Sequence, residues 1–231
     1  GLGDVYKRQI LFRTNTDELT VDLDSFELLT KSLKPMPEKY KGLTDIETIY
    51  RKRYLDLMSN PESREVFIKR NKIIKSLRTN LESNGFLEVE TPMMHPIPGG
   101  ANARPFETHH NALDKKLYLR VAPELYLKRL LVGGYEKVFE INRNFRNEGI
   151  STIHNPEFTM LEFYEAYGDL QTTAKFIQKL IQDSILAVND SLKITYDQKN
   201  INFEKDFEIR SLKELVKEEL NIESLENEED I

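Results

Sequence analysis

The chain predicts an α+β protein, an antiparallel sheet assembled from hairpins with helices set between them. Three observations carry this expectation. Residues 138–165 read as strand, polar loop and strand, with polar and apolar side chains alternating at the two-residue period of a pleated sheet. Residues 61–84 and 169–188 instead repeat apolar side chains at helical spacing. Short strand-like runs at 105–109, 116–120, 192–196 and 200–203 complete the pattern, and no internal repeat is present.

The elements follow in order. GLGDVYKRQ matches nothing downstream and reads as a scar outside the fold. Residues 10–23 suggest short strands around a turn at Asn15, Thr16 and Asp17. LLTKSLKPMP reads as an exit strand and linker stiffened by Pro35 and Pro37. Residues 45–58 form a helix by the spacing of Ile46, Ile49, Tyr50, Leu55 and Leu57, with Arg51, Lys52 and Arg53 as a cationic face. Asn60-Pro61-Glu62 starts the next helix, because proline suits the first helical position. Val66, Phe67, Ile73, Ile74, Leu77 and Leu81 are its apolar stripe, and Gly85 ends it. A strand at 86–89 stops at Thr91-Pro92, and a helix from Glu124 stops at Gly133-Gly134. Asp169 caps the helix carrying Phe176, Ile177, Leu180, Ile181, Ile185 and Leu186. A last helix begins at Ser211, and the acidic run IESLENEEDI closes the chain.

Bulk properties narrow the class. The 231 residues are 31% charged and 39% hydrophobic, enough for a sizeable core and unlike a disordered chain. Cysteine is absent, which excludes disulfides and thiolate metal sites. No signal-peptide pattern opens the chain, and no apolar run reaches the ~18 residues of a membrane span, so a cytoplasmic location is expected. The net charge of −6 argues against binding nucleic acid through overall charge but leaves room for a local basic patch.

Chemistry concentrates in residues 138–165. A basic cluster, Arg143 to Arg146, precedes a loop with Asn147, Glu148, Gly149, His154 and Asn155. On the second strand Phe158, Met160, Glu162 and Tyr164 share one face. Such a face makes a poor core and a good holder for a small charged ligand.

Arg146-x-Glu148 with His154-Asn155-Pro156-Glu157-Phe158 resembles motif 2 of the class II aminoacyl-tRNA synthetases. The wider wording, RNFRNEGIS with HNPEFTMLE, resembles the class II lysyl-tRNA synthetases in particular. GFLEVETP, residues 85–92, resembles motif 1, and residues 97–134 resemble the amino-acid-binding stretch of the lysine enzymes. The likeness runs from about Leu11 onward and is strongest from Arg64 to Tyr164.

The resemblance implies a function, ATP-dependent activation of L-lysine to lysyl-adenylate and its transfer to tRNA(Lys) in a cytoplasmic homodimer. It implies roles as well. Arg146, whose planar fork suits paired oxyanions, would bridge the lysine carboxylate and the α-phosphate as the catalytic residue. Glu148 would face the adenine amino group, His154 and Asn155 the ATP, and Phe158 would stack on adenine, with a core phenylalanine as the rival reading. Glu124 would engage the α-amino group, Gly100 would allow a backbone contact, and Glu162 and Tyr164 would line the side-chain pocket. For Glu124, a helix-start acid satisfied by the dipole is the plainer alternative. Gly85 and Pro92, in motif 1, would mark the dimer interface, or a helix–strand unit packed inside one domain. His95, His109 and His110 receive no role, and no metal site is expected among these residues.

The domain expectation is residues 1–33 for a scar plus the tail of an OB-fold anticodon-binding barrel, 34–60 for a linker and 61–231 for a partial catalytic domain. Motif 3 and the acids that hold Mg²⁺ on ATP in this family are missing, which implies an internal fragment, inactive alone. Two alternatives remain, a related ligase that moves lysine-like groups onto elongation factor P and a non-catalytic binding module. Aspartyl and asparaginyl enzymes share the fold, but two acids in the pocket favour a cationic substrate.

Overall fold

The computed structural model describes residues 5–34, 43–151 and 153–220. The chain divides into two compact units, residues 1–69 and 70–231. Pro35, Pro37 and the acidic run that ends the chain lie outside the described residues.

In the first unit, β1 (Val5–Arg13) and β2 (Leu19–Leu28) form an antiparallel hairpin. Its turn falls at the predicted place. Asp17 takes a left-handed conformation (φ 61°), and Arg13 Nη1 reaches its carboxylate at 3.0 Å. Residues 5–9, within the stretch expected to be a scar, lie in β1. Their backbone pairs with β2 across a register shift between Arg8 and Gln9. Pairing of this kind needs backbone groups and no side-chain pattern.

The single helix expected over 45–58 is two, α1 (Ile46–Arg51) and α2 (Arg53–Ser59), divided at Lys52 (φ −121°, ψ 49°). Asp45 caps the first by accepting from the Thr48 N–H at 2.8 Å. The cationic face is divided too, since Arg51 pairs back to Glu47 while Arg53 pairs forward to the buried Asp56 at 2.6 Å. Periodicity cannot foresee such a break, because both halves keep the same spacing.

The third helix, α3 (Pro61–Ser83), has the predicted ends. Gly85 N–H donates to the Glu82 carbonyl at 3.0 Å and Phe86 N–H to the Leu81 carbonyl at 3.1 Å. This six-to-one and five-to-two pair requires a left-handed residue between helix and strand, and Gly85 supplies it at φ +83°. The apolar stripe is less covered than expected, with Leu81 fully buried but Val66 63% exposed.

In the second unit, β3 (Leu87–Glu88) leads to β4 (Met94–His95), β5 (Glu107–His110), β6 (Lys115–Leu119) and α4 (Glu124–Val132). The long hairpin follows as β7 (Lys137–Phe145) and β8 (Glu157–Glu165). Then come α5 (Leu170–Leu186), capped by Asp169, the hairpin of β9 (Lys193–Tyr196) and β10 (Lys199–Asn202), and α6 (Leu212–Leu220). One sheet has the order β3-β7-β8 and another β4-β6-β5. The pairing is antiparallel except that β3 runs parallel to β7, Leu87 opposite Val138. That exception is possible because a long connection separates the two strands, as a parallel pair requires.

The core lies on one face of β7-β8. Leu81, Phe86, Phe139 and Leu180 are buried there, with Ile141, Leu161, Phe163 and Phe176 around them. Phe86 is its hub, stacked on Phe176 at 5.4 Å and edge-on to Phe163 at 5.5 Å. Strand β7 is not half-exposed at its start, as alternation suggested, because Val138, Phe139 and Glu140 are all buried. Packed elements cover its faces, since Phe139 turns into the aromatic core and α4 also packs against the strand.

Truncating Leu81 to alanine should lower stability by about 2–5 kcal/mol in urea unfolding, whereas Val66→Ala should change it by about 0.5 kcal/mol or less. Gly85→Ala should cost about 1–2 kcal/mol, since its left-handed backbone then carries a Cβ.

Candidate active site

The register of β7 and β8 places functional side chains on the face opposite the core. Glu140 stands across from Glu162, Asn144 from Phe158, and Val138 from Tyr164. Just beyond β7, the Arg146 N–H donates to the Pro156 carbonyl at 2.8 Å and closes the neck of the intervening loop.

A pocket of about 550 Å³ opens at this neck, within the range of small-molecule sites. Arg146, Glu148, His154, Asn155 and Phe158 line it together. The Arg146 guanidinium carbon lies 5.2 Å from the centre of the Phe158 ring, and its Nε is buried with no hydrogen-bond partner. A buried donor in that state is ready for an anionic acceptor. His154 Nδ1 lies 2.8 Å from Ser151 Oγ, which fixes the ring on its loop. Glu148 is tied rather than freely solvated, because its carboxylate accepts the Arg104 N–H at 3.3 Å. Arg104 returns a bond, its carbonyl accepting the Asn147 N–H at 2.8 Å.

A second cluster sits further along the same strand face. Tyr164 donates its hydroxyl to Glu162 Oε2 at 3.0 Å. Burial raises the Glu162 carboxyl above the usual glutamate range; the Tyr164 bond opposes this, and the nearby charge of Glu124 adds to it. Burial likewise raises the Tyr164 phenol, with the Glu162 charge adding to the rise. An acid raised in this way contributes stability that is full below the ordinary glutamate range and is lost as pH rises through the raised value. Glu124 opens α4 and pairs with Lys128 at 2.5 Å. Gly100 (φ +90°) is required by the fold itself, since a Cβ there would stand 3.1 Å from the Glu124 Cβ and 3.2 Å from the Ala122 Cβ.

Gly85 and Pro92 are not gathered into either cluster. Gly85 closes α3, and the Pro92 carbonyl lies 2.8 Å from the His95 ring Nε2. His95 is buried against Tyr126, and burial lowers its pKa below the usual histidine range. Among the described residues, no three His, Cys, Asp or Glu side chains converge as a metal site.

Sequence reasoning missed the buried network beside Glu162 on the same strand face. Arg120 and Glu140 are 1% exposed and pair at 2.7 Å. Arg120 also donates to the Arg143 carbonyl at 2.9 Å and to Thr91 Oγ1 at 3.1 Å. Glu140 further accepts Thr91 Oγ1 at 2.7 Å and Asn142 Nδ2 at 3.1 Å. The one available signal was a charged residue, Glu140, on a strand whose neighbours Val138 and Phe139 are apolar.

Comparison with known proteins decides the family. Residues 45–230 match the family described as tRNA synthetases class II (D, K and N). The chain belongs to this family. The lysine–tRNA ligase of Carboxydothermus hydrogenoformans is 63% identical over 195 residues, covering 84% of this chain and 40% of that protein. The lysine–tRNA ligase of Neisseria gonorrhoeae is 56% identical over 217 residues, covering 94% and 43%. That of Legionella pneumophila is 58% identical over 219 residues, covering 93% and 44%. The chain thus spans about two fifths of the length of these class II relatives. The α+β, largely antiparallel architecture agrees with the family assignment.

Removing one member of the buried pair should be costly. Arg120→Met alone should destabilise by about 3–5 kcal/mol by leaving Glu140 charged and unpaired, and adding Glu140→Leu should restore much of that in urea unfolding.

Proposed function

We propose that this chain is part of a lysine–tRNA ligase, which activates L-lysine with ATP and transfers it to tRNA(Lys). The observation that carries the reading is the sharing of one hairpin face by two sites. One is a pocket with Arg146 over Phe158, and the other is the acidic Glu162–Tyr164 pair. The first suits a purine nucleotide, with Phe158 for the base, Glu148 for its amino group and His154 and Asn155 toward the phosphates. The second suits the lysine ammonium groups, with Glu162 and Tyr164 on the side chain and Glu124 on the α-amino group beside Gly100.

In the reaction a lysine carboxylate oxygen bonds to the α-phosphorus of ATP, the bond to the bridging oxygen breaks, and pyrophosphate leaves. Transfer then joins the lysyl carbonyl to a tRNA hydroxyl and releases AMP. Arg146 holds the two negative groups together while charge builds between them, which is positioning and electrostatic catalysis. Mg²⁺ would neutralise the polyphosphate when bound.

The same reading makes Gly85 and Pro92 part of a homodimer interface and the β1-β2 hairpin the end of an anticodon-binding OB-fold. It places the protein in the cytoplasm, and no described helix is long and apolar enough to cross a membrane. A ligase acting on elongation factor P is the second reading. The β1-β2 hairpin favours the tRNA enzyme, because such ligases lack the barrel.

Lysine-dependent exchange of pyrophosphate into ATP by the complete protein tests this. Arg146→Ala should reduce exchange by roughly 10²–10³-fold or more, and absence of exchange with lysine in the unmutated protein overturns the reading. A second outcome follows from the raised Glu162. An ammonium beside it favours the ionised carboxylate, so lysine binding just above the ordinary glutamate range should release protons. Calorimetry in buffers of different ionisation heat should detect that release, and Glu162→Gln should abolish it.

A further inference from the structure

Glu124 has a partner already, and that partner is a lysine side chain. The Lys128 Nζ lies 2.5 Å from Glu124 Oε1 and 5.9 Å from the centre of the Tyr164 ring on β8. Glu124 is also close enough to Glu162 and Tyr164 for its charge to act on both. The ammonium therefore stands where α4 meets the acidic strand face, and not on an outer helix surface. An ordinary i, i+4 pair on a solvated helix would not meet an aromatic ring of another element.

The two partners differ in freedom. The base of Glu124 is crowded by the Gly100 turn, where even one added Cβ would come within 3.1 Å, and its side chain is 31% exposed. Lys128 is held only at its tip and its side chain is 56% exposed, so it is the member able to swing into water. We infer that Lys128 is a built-in competitor of the ligand, an ammonium that occupies Glu124 in the unliganded site and must be displaced by the incoming amino group. This rests on the proposal that Glu124 engages the substrate. Its effect is to keep the acid neutralised between turnovers and to set the lysine affinity below what the pocket would otherwise reach. A ligand that brings no ammonium cannot displace Lys128 and gains nothing from Glu124.

The test is L-lysine binding by calorimetry to the complete protein, unmutated, Lys128→Met and Lys128→Arg, at low and high salt. Lys128→Met keeps the apolar stem and removes the competitor, so lysine should bind roughly two- to fivefold tighter, the scale of one exposed ion pair. Its binding should also weaken more steeply with salt. In the unmutated protein one ion pair is exchanged for another, whereas in the variant a new pair forms from a free carboxylate. Lys128→Arg should behave as the unmutated protein does. Equal or weaker binding by Lys128→Met, or an unchanged salt dependence, overturns the inference while leaving the lysine site standing. Binding of lysine by none of the three overturns the proposed function and the competition with it.

Discussion

A guanidinium and a carboxylate, both taken out of water, hold the second unit together beside the pocket-bearing strand face. Arg120 follows β6 and Glu140 lies within β7, and Thr91, beyond β3, joins both. The backbone of Arg120 is tied as well, its carbonyl accepting the Phe145 N–H and its N–H donating to the Met93 carbonyl, each at 2.9 Å. One residue thus connects three segments far apart in the chain. Burying such a pair is expensive, and the cost is tolerable only where hydrogen bonds saturate both partners. Here they nearly do, with Thr91, Asn142 and the Arg143 carbonyl closing the remaining positions and only Arg120 Nη2 left without a partner. The result is a buried polar network on the same strand face as Glu162, directly beside it.

That face works because the hairpin has two unlike sides. Phe139, Ile141, Leu161 and Phe163 are spent on the core, while their neighbours in sequence point the other way. A slip of one residue in register would exchange the two sets, putting Glu140 and Glu162 into the aromatic core. Core packing therefore positions the ligand face, and the Phe86 hub acts on the site through the strands it holds.

Charge is distributed to the same end. Glu124 and Glu140 both act on Glu162, and each of those two has its own cation, Lys128 and Arg120. Glu162, partly buried, has the Tyr164 hydroxyl as its partner, an arrangement that favours a cation beside it over an anion of similar size. At the neck of the hairpin the sign reverses, where Arg146 offers a buried donor to an anion. A ligand with ammonium groups at one end and a carboxylate to be joined to phosphate at the other matches that gradient.

The sequence by itself determined whatever depends on near neighbours. The ends of α3, the Asp169 cap and the two strands of the long hairpin were legible because caps, turns and periodicities are local. Arg146, Glu148, His154, Asn155 and Phe158 line one pocket because one short stretch of the hairpin, its loop and the start of β8, carries them all. Only the tertiary structure decided the rest. The Arg120–Glu140 pair, the Thr91 bond, the grip of Arg104 on Glu148 and the parallel pairing of β3 with β7 join residues 20 to about 50 positions apart. The break at Lys52 arose without any change of period, and residues 5–9 pair through backbone groups that every sequence carries. Contacts of that kind leave no mark on either partner's own neighbourhood, since each side chain reads locally as an ordinary charge or turn until the fold brings its counterpart to it.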